Sequence, residues 1–266
     1  MIVTLLGVER KILRALDRLD ELHSAALDFM RAKPYGVRFE RYVEKRSGEK
    51  RVRALLTVSE HPPLDFGLLV GESVYHLHGA LDHLVYCLAL LHKKRPRGTY
   101  FPLFLDETVY RSPPAPDKES PRDAALDGVH PDHRAILDEF QPYHDGSLAK
   151  ANRLYVLRQF ANADKHRVIQ AGYGLPASIK VEPTEPGIDL DIRYPTLVPP
   201  VDEGAELFSV RWIDGYDDVP MHYEVKMTLA YGSVVPFVSR HYVVETAMRV
   251  QEVVSRVMDE VPELRA

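Results

Sequence analysis

Cysteine is nearly absent from this chain: Cys87 stands alone among 266 residues. One thiol can neither close an intrachain disulfide nor build a cysteine metal cluster, and the scarcity points to a reducing, cytosolic setting. Long apolar runs are missing as well. The most apolar stretch, residues 84–91, falls far short of the roughly 20 residues that a bilayer span needs, which excludes membrane insertion as the expected mode. The opening MIVTLLGVERK has no basic leader and too short an apolar run for a signal peptide. Nor is there a strong excess of one charge. Lys plus Arg total 34 and Asp plus Glu total 39, a net charge of −5, which argues against a general nucleic-acid coat protein but leaves local basic patches open. No P-loop, Rossmann glycine fingerprint, His-Glu-x-x-His or nucleophile elbow occurs. Internal repeats and low-complexity tracts are missing too.

What is present is a soluble globular composition, 45% apolar and 27% charged, in a chain long enough for a substantial core. Apolar residues recur at helical spacing over residues 8–32, where Pro34 ends the pattern, and most strongly over 64–92. Between them, residues 37–44 and 51–59 alternate around Ser47-Gly48 and predict a β-hairpin. Residues 102–127 read as an irregular, proline-containing surface excursion. A short helix is expected over 131–140, with Pro131 in its first turn. Another is expected from Ser147, as N-cap, to about Gln170. Strands follow at 179–181, 188–194, 207–212 and 222–231, then a helix over 240–261. The sum is an α+β protein, an antiparallel helical bundle packed with a mostly antiparallel β-sheet. We expect a single interleaved domain over 1–266: a helical core at about 64–172, a β-rich section at about 175–232 and a C-terminal helix at about 240–261. Pairing of the early hairpin with the later strands would do the interleaving.

Two constellations carry chemistry. On the 64–92 helix, Glu72, His76 and His83 fall on one flank of the apolar stripe, and Tyr75, His78 and Asp82 on the other. His78 and Asp82, four apart, can touch. Bundle metal sites use Glu-x-x-His on facing helices; here Tyr75 occupies that spacing after Glu72, so no metal ligands are assigned. The plain reading is that these histidines bridge core and solvent. The second constellation is NRLYVLRQFANADKHR, residues 152–167. In one continuous helix Arg158, Asn162 and His166 share a face, with Lys165 beside them. A cation, an amide and an imidazole together would suit phosphodiester chemistry, with His166 as acid or base and Arg158 or Lys165 stabilising charge. The plain reading is that Lys165, His166 and Arg167 complement a helix C-terminus. Two basic clusters, residues 45–53 and 92–97, could touch phosphates, although solvated hairpin tips and helix ends share that composition. Cys87, among apolar neighbours, reads as core.

The segments GESVYHLHGALDHLVYCLA (71–89), FPLF (101–104), FQPYH (140–144) and LRQFANADKHRVI (157–169) resemble, in that order, a group of uncharacterised bacterial proteins carrying ALDHL, FP, QPY and N-x-D-K-H-R motifs. The resemblance covers the central third to half of the chain. That group tends to have Arg where His78 stands. The two helices are also distantly similar to HEPN domains, helical bundles found in toxin, defence and RNA-cleaving systems. HEPN nucleases place His closer behind Arg than the seven residues separating Arg158 from His166 here.

Three functional expectations follow. The favoured one is a non-catalytic binding or interaction module in the cytoplasm, in which His78, Asp82, His83 and Arg167 are binding or locking residues, Asp82 or His83 pairing with the DKHR segment. The second is a HEPN-like RNA-cleaving toxin or defence component using His166, Arg158, Lys165 and Asn162. The third is a metal-dependent bundle enzyme drawing on His76, His83, His166 and Glu72. No cofactor is expected. RNA and a second copy of the chain are the partner candidates, and no membrane partner is expected.

Overall fold

A computed structural model describes residues 3–92, 96–166, 174–197, 201–213, 218–231 and 239–264, with backbone alone for Lys165 and His166. Helix α1 (Leu6–Arg31) buries Val8, Ile12, Ala15, Leu19 and Leu22. That stripe lies against α2 (Asp65–Leu90), which buries Val70, Val74, Leu77, Leu81, Leu84 and Leu88. Both helices follow their predicted spacing. They run antiparallel, and the Ser73 hydroxyl donates to the Ala15 carbonyl (3.2 Å) and to that of Leu69 (2.8 Å).

Strands β1 (Tyr35–Val43) and β2 (Lys50–Val58) form the expected hairpin. Gly48 takes the positive φ of the turn, +73°, a conformation with no steric penalty for glycine.

The stretch read as irregular contains two short helices, α3 (Glu107–Arg111) and α4 (Pro121–Ala125), capped by Asp106 and Ser120. Tyr110, Ala125 and Leu126 are buried, so the excursion is packed rather than loose. Helix α5 (Pro131–Asp138) starts at Pro131, as its fixed φ favours. The predicted helix from Ser147 is corrected. Residues Pro142–Ala151 form 3₁₀ turns kinked at Gly146 (φ +55°), and α6 (Arg153–His166) begins after Asn152. The Asn152 carboxamide accepts from the Leu154 and Tyr155 N–H groups at 3.0 and 3.2 Å, which makes it the N-cap. The predicted end at Gln170 lies outside the described residues.

Strands β3 (Gly174–Pro183), β4 (Ile192–Arg193), β5 (Glu206–Arg211) and β6 (Met221–Leu229) complete two antiparallel sheets. One has the order β1-β2-β5-β4; the other pairs β3 with β6. Val52 opposite Val210 and Ala54 opposite Phe208 join the early hairpin to the later strands, so the two chain regions share one sheet. The expectation of a sheet packed on the bundle needs correction. Val52, Ala54, Leu56, Leu207, Phe208 and Val210 pack with Ile179, Val181, Val225 and Met227, which closes the two sheets on each other. Leu229 and Tyr231 reach into the helical core, and Tyr35 touches both apolar cores. Helix α7 (Arg240–Glu260), capped by Ser239, lays Val243, Ala247, Val250, Val254 and Val257 across the bundle. None of the described helices is long and apolar enough to cross a membrane.

Candidate functional site

The motif residues converge on the segment Phe101–Phe104, which pairs with no strand among the described residues. Its buried backbone groups must still be paired, and side chains do it. The Phe101 N–H donates to Asp82 Oδ1 (2.9 Å), and the Gln141 amide donates to the Pro102 carbonyl (2.7 Å). The Phe104 N–H donates to Gln141 Oε1 (3.2 Å), and the Arg158 guanidinium donates to the Leu103 carbonyl. Three side chains from separate segments thus serve one purpose, holding FPLF against α2 and α6.

This sets the status of the candidates. Asp82 also sits 3.3 Å from His78 Nδ1, so its carboxylate bridges that imidazole and the Phe101 amide. The anticipated partner for Asp82 or His83 was the DKHR segment. Asp82 pairs with His78 and Phe101 and the His83 ring lies against α1 at Gly7; the expected contact with the DKHR segment falls on side chains outside the described residues. Arg158 is directed to Leu103 rather than to open solvent. Asn162 is exposed on α6. The side chains of Lys165 and His166, and all of Arg167, lie outside the described residues.

Beside this junction runs a groove with α2 as its floor and α1 and α6 as walls. Its volume is about 500 Å³; Lys11, Tyr75, His78, Asp82, His83, Tyr86 and Ala161 are among the residues that line it. Glycines let the walls approach. A Cβ on Gly7 would fall 2.3 Å from the His83 ring, and one on Gly79 would fall 3.0 Å from Lys11 Nζ. A Cβ on Gly71 would fall 2.5 Å from Asp164 Oδ1. Burial pushes the Asp164 carboxyl above its usual range at this contact. His83 Nδ1 is buried with no hydrogen-bond partner among the described residues. Burial first, and the Lys11 charge second, hold the His83 ring below the ordinary histidine range. The same two causes, with Arg14 added, act on His76. Tyr75 and Tyr86 remain 54% and 41% exposed, so both rings are open to a ligand.

Among the described residues, no group of three or more His, Cys, Asp or Glu could hold a metal ion. Glu72 faces Arg18 at 3.8 Å, and the metal reading would need the undescribed His166 side chain. Within the basic cluster 45–53, carboxylates compensate Arg51 and Arg53. Arg51 is fully buried and donates to Asp191 (3.1 Å), and Arg53 donates to Glu40 (3.0 Å). In the other basic cluster, residues 93–95 lie outside the described residues. Cys87 is buried, donates weakly to the Thr4 carbonyl (3.6 Å), and has its thiol pushed up to about 11 by burial.

Sequence reasoning missed Lys11, Tyr86 and Gln141 as partners in this region. A signal was available for one of them: Tyr75 and Tyr86, eleven residues apart, share a helix face. Lys11 and Gln141 come from distant elements and had none. No protein-family model, curated protein or solved structure matches the chain.

Proposed function

We propose that this chain is a cytoplasmic, non-catalytic binding module, with its helices arranged in a HEPN-like manner and its recognition face in the α1–α2–α6 groove. One observation carries the reading. The polar side chains shared by the motifs, Asp82, Gln141 and Arg158, are engaged with backbone groups of FPLF, while Lys11 and two exposed tyrosines line an open groove next to them. A cation flanked by aromatic faces attracts an anionic ligand bearing planar rings. RNA is the partner class this chemistry serves best, through phosphate contact and base stacking.

The test is fluorescence anisotropy of a labelled single-stranded RNA with wild type and Lys11→Glu. Wild type should bind with affinity that falls as salt rises, and the charge reversal should weaken binding at least tenfold. Equal binding by both proteins would remove the groove as the recognition face. The same mixtures run on a denaturing gel should show intact RNA; cleavage that copurifies with folded wild type and is lost in His166→Ala would overturn the non-catalytic reading.

A further inference from the structure

The two tyrosines of the groove are placed as a pair. Both belong to α2, eleven positions apart. At 100° per residue they differ in direction by only about 20°, and at 1.5 Å per residue they stand about 16 Å apart along the helix. Both line the same groove, and both are substantially exposed. Between them the floor has no side chain at Gly79, and Lys11 Nζ lies over that position, 3.0 Å from where a Cβ would be. The groove is therefore a track with a planar ring near each end and Lys11 above Gly79 between them; His78, Asp82 and His83 line the same stretch, the Asp82 carboxylate being held by His78 and the Phe101 N–H.

A ligand that uses the whole track needs two planar groups too far apart to be neighbours in a base stack, where successive bases follow at about 3.4 Å. It also needs negative charge between them. A mononucleotide carries only one ring. A duplex carries many, but its faces are already stacked on each other and are unavailable to tyrosine. We infer that the groove takes an unpaired oligonucleotide strand of roughly four nucleotides, the lower end of the site sizes known for aromatic-lined grooves, with one base stacked on Tyr75, another on Tyr86, and an intervening phosphate on Lys11. This rests on the groove being the recognition face and specifies the length and strandedness of what it holds. Stacking on tyrosine reads the π-face that every base has, so binding depends little on sequence.

The experiment is a length series. Oligoadenylates of one, two, four and eight nucleotides are titrated by calorimetry or competition, in RNA and DNA forms and as the four-nucleotide strand annealed within a longer duplex. Affinity should rise at least tenfold between two and four nucleotides and change little from four to eight. Tight binding of either sugar form of the tetramer supports the inference, and the comparison assigns the sugar. Tyr75→Leu and Tyr86→Leu alter exposed side chains and should each weaken the tetramer about 5- to 150-fold, whereas either single change should weaken a mononucleotide only about twofold, because the other ring still takes its one base. Matching far-ultraviolet circular dichroism and melting curves establish that both variants are folded. A tetramer that binds no tighter than the dinucleotide, a duplex that binds as well as the strand, or tyrosine variants that bind like wild type would overturn the two-ring track. Lys11-dependent binding of long RNA would then still stand as evidence for the groove. Absence of binding by any strand, long RNA included, would overturn both.

Discussion

Asp138 is the residue whose loss should disturb this protein most. It ends α5 with 8% of its surface exposed. Its carboxylate accepts the Tyr110 hydroxyl at 2.9 Å and the Arg122 guanidinium at 3.1, 3.0 and 2.6 Å, and Arg111 approaches to 3.3 Å. Tyr110 is fully buried, and the side chain of Arg122 is 20% exposed. These contacts fasten α3 and α4 to α5, so the proline-containing excursion is held by one buried anion. Asp138→Ala would leave a desolvated cation and a buried hydroxyl without a partner. Breaking one side of a buried pair costs about 3–5 kcal/mol, most of it the penalty for the charge left behind. Arg111 adds little, because its side chain is 43% exposed and keeps Glu107 at 2.8 Å. For a chain of this size, the loss corresponds to a fall in Tm of roughly 6–20 °C. Calorimetric melting of wild type, Asp138→Ala and Arg111→Ala measures it, with the last expected within about 1 kcal/mol of wild type. If Asp138→Ala melts within 2 or 3 °C of wild type, the excursion is not anchored by this network and the reasoning fails.

Gln141→Leu should also destabilise, since Gln141 is 1% exposed and serves both the Pro102 carbonyl and the Phe104 N–H. About 1–3 kcal/mol is expected for each orphaned group, and urea unfolding reads the sum. Gly71→Ala would normally favour a helix by about 1 kcal/mol. Here the new methyl meets Asp164 at 2.5 Å, so a net loss of about 1–3 kcal/mol is expected; adding Asp164→Ala should recover most of it in the same melting assay. Acidification should destabilise the bundle through His76 and His83, both held below the ordinary histidine range. The folded state favours their neutral rings, so their contribution is intact above the unfolded value near 6.5 and is lost as pH falls through it toward the folded values. Unfolding free energies measured from pH 7.5 to 5.0 should decline, and His83→Gln should flatten the slope; an unchanged slope would remove His83 from that account.

Helices α1, α2 and α7 and the hairpin were legible in the sequence because their signals are local. Apolar side chains at period 3.6 or 2 must share a face whatever surrounds them, and Pro34 and Gly48 punctuate the chain where the backbone demands it. The α+β class followed from the order of those patterns. The start of α6 was misread because Ser147 and Asn152 are both competent caps, and the positive φ of Gly146 breaks the run that would have favoured Ser147. The excursion was misread because α3 and α4 are each five residues long, too short to show a period. Their order comes from Asp138, which lies 28 residues from Tyr110 and 16 from Arg122.

The candidate site divides the same way. His78 and Asp82 could be paired in advance, since they are one helical turn apart. What Asp82, Gln141 and Arg158 do could not, because the FPLF groups they hold lie 19, 39 and 55 residues away in the chain. The sequence by itself determined α1, α2, α5, α7 and the β1–β2 hairpin, and which flanks of α2 would be polar. Only the tertiary structure decided that the motif residues would fasten FPLF, that the two sheets would close on each other, and that Lys11 would face Tyr75 and Tyr86 across Gly79. Periodicity constrains a residue relative to its own element, and these outcomes depend on how separate elements approach one another; between α1, α2 and α6 that approach is made close by the missing side chains at Gly7, Gly71 and Gly79.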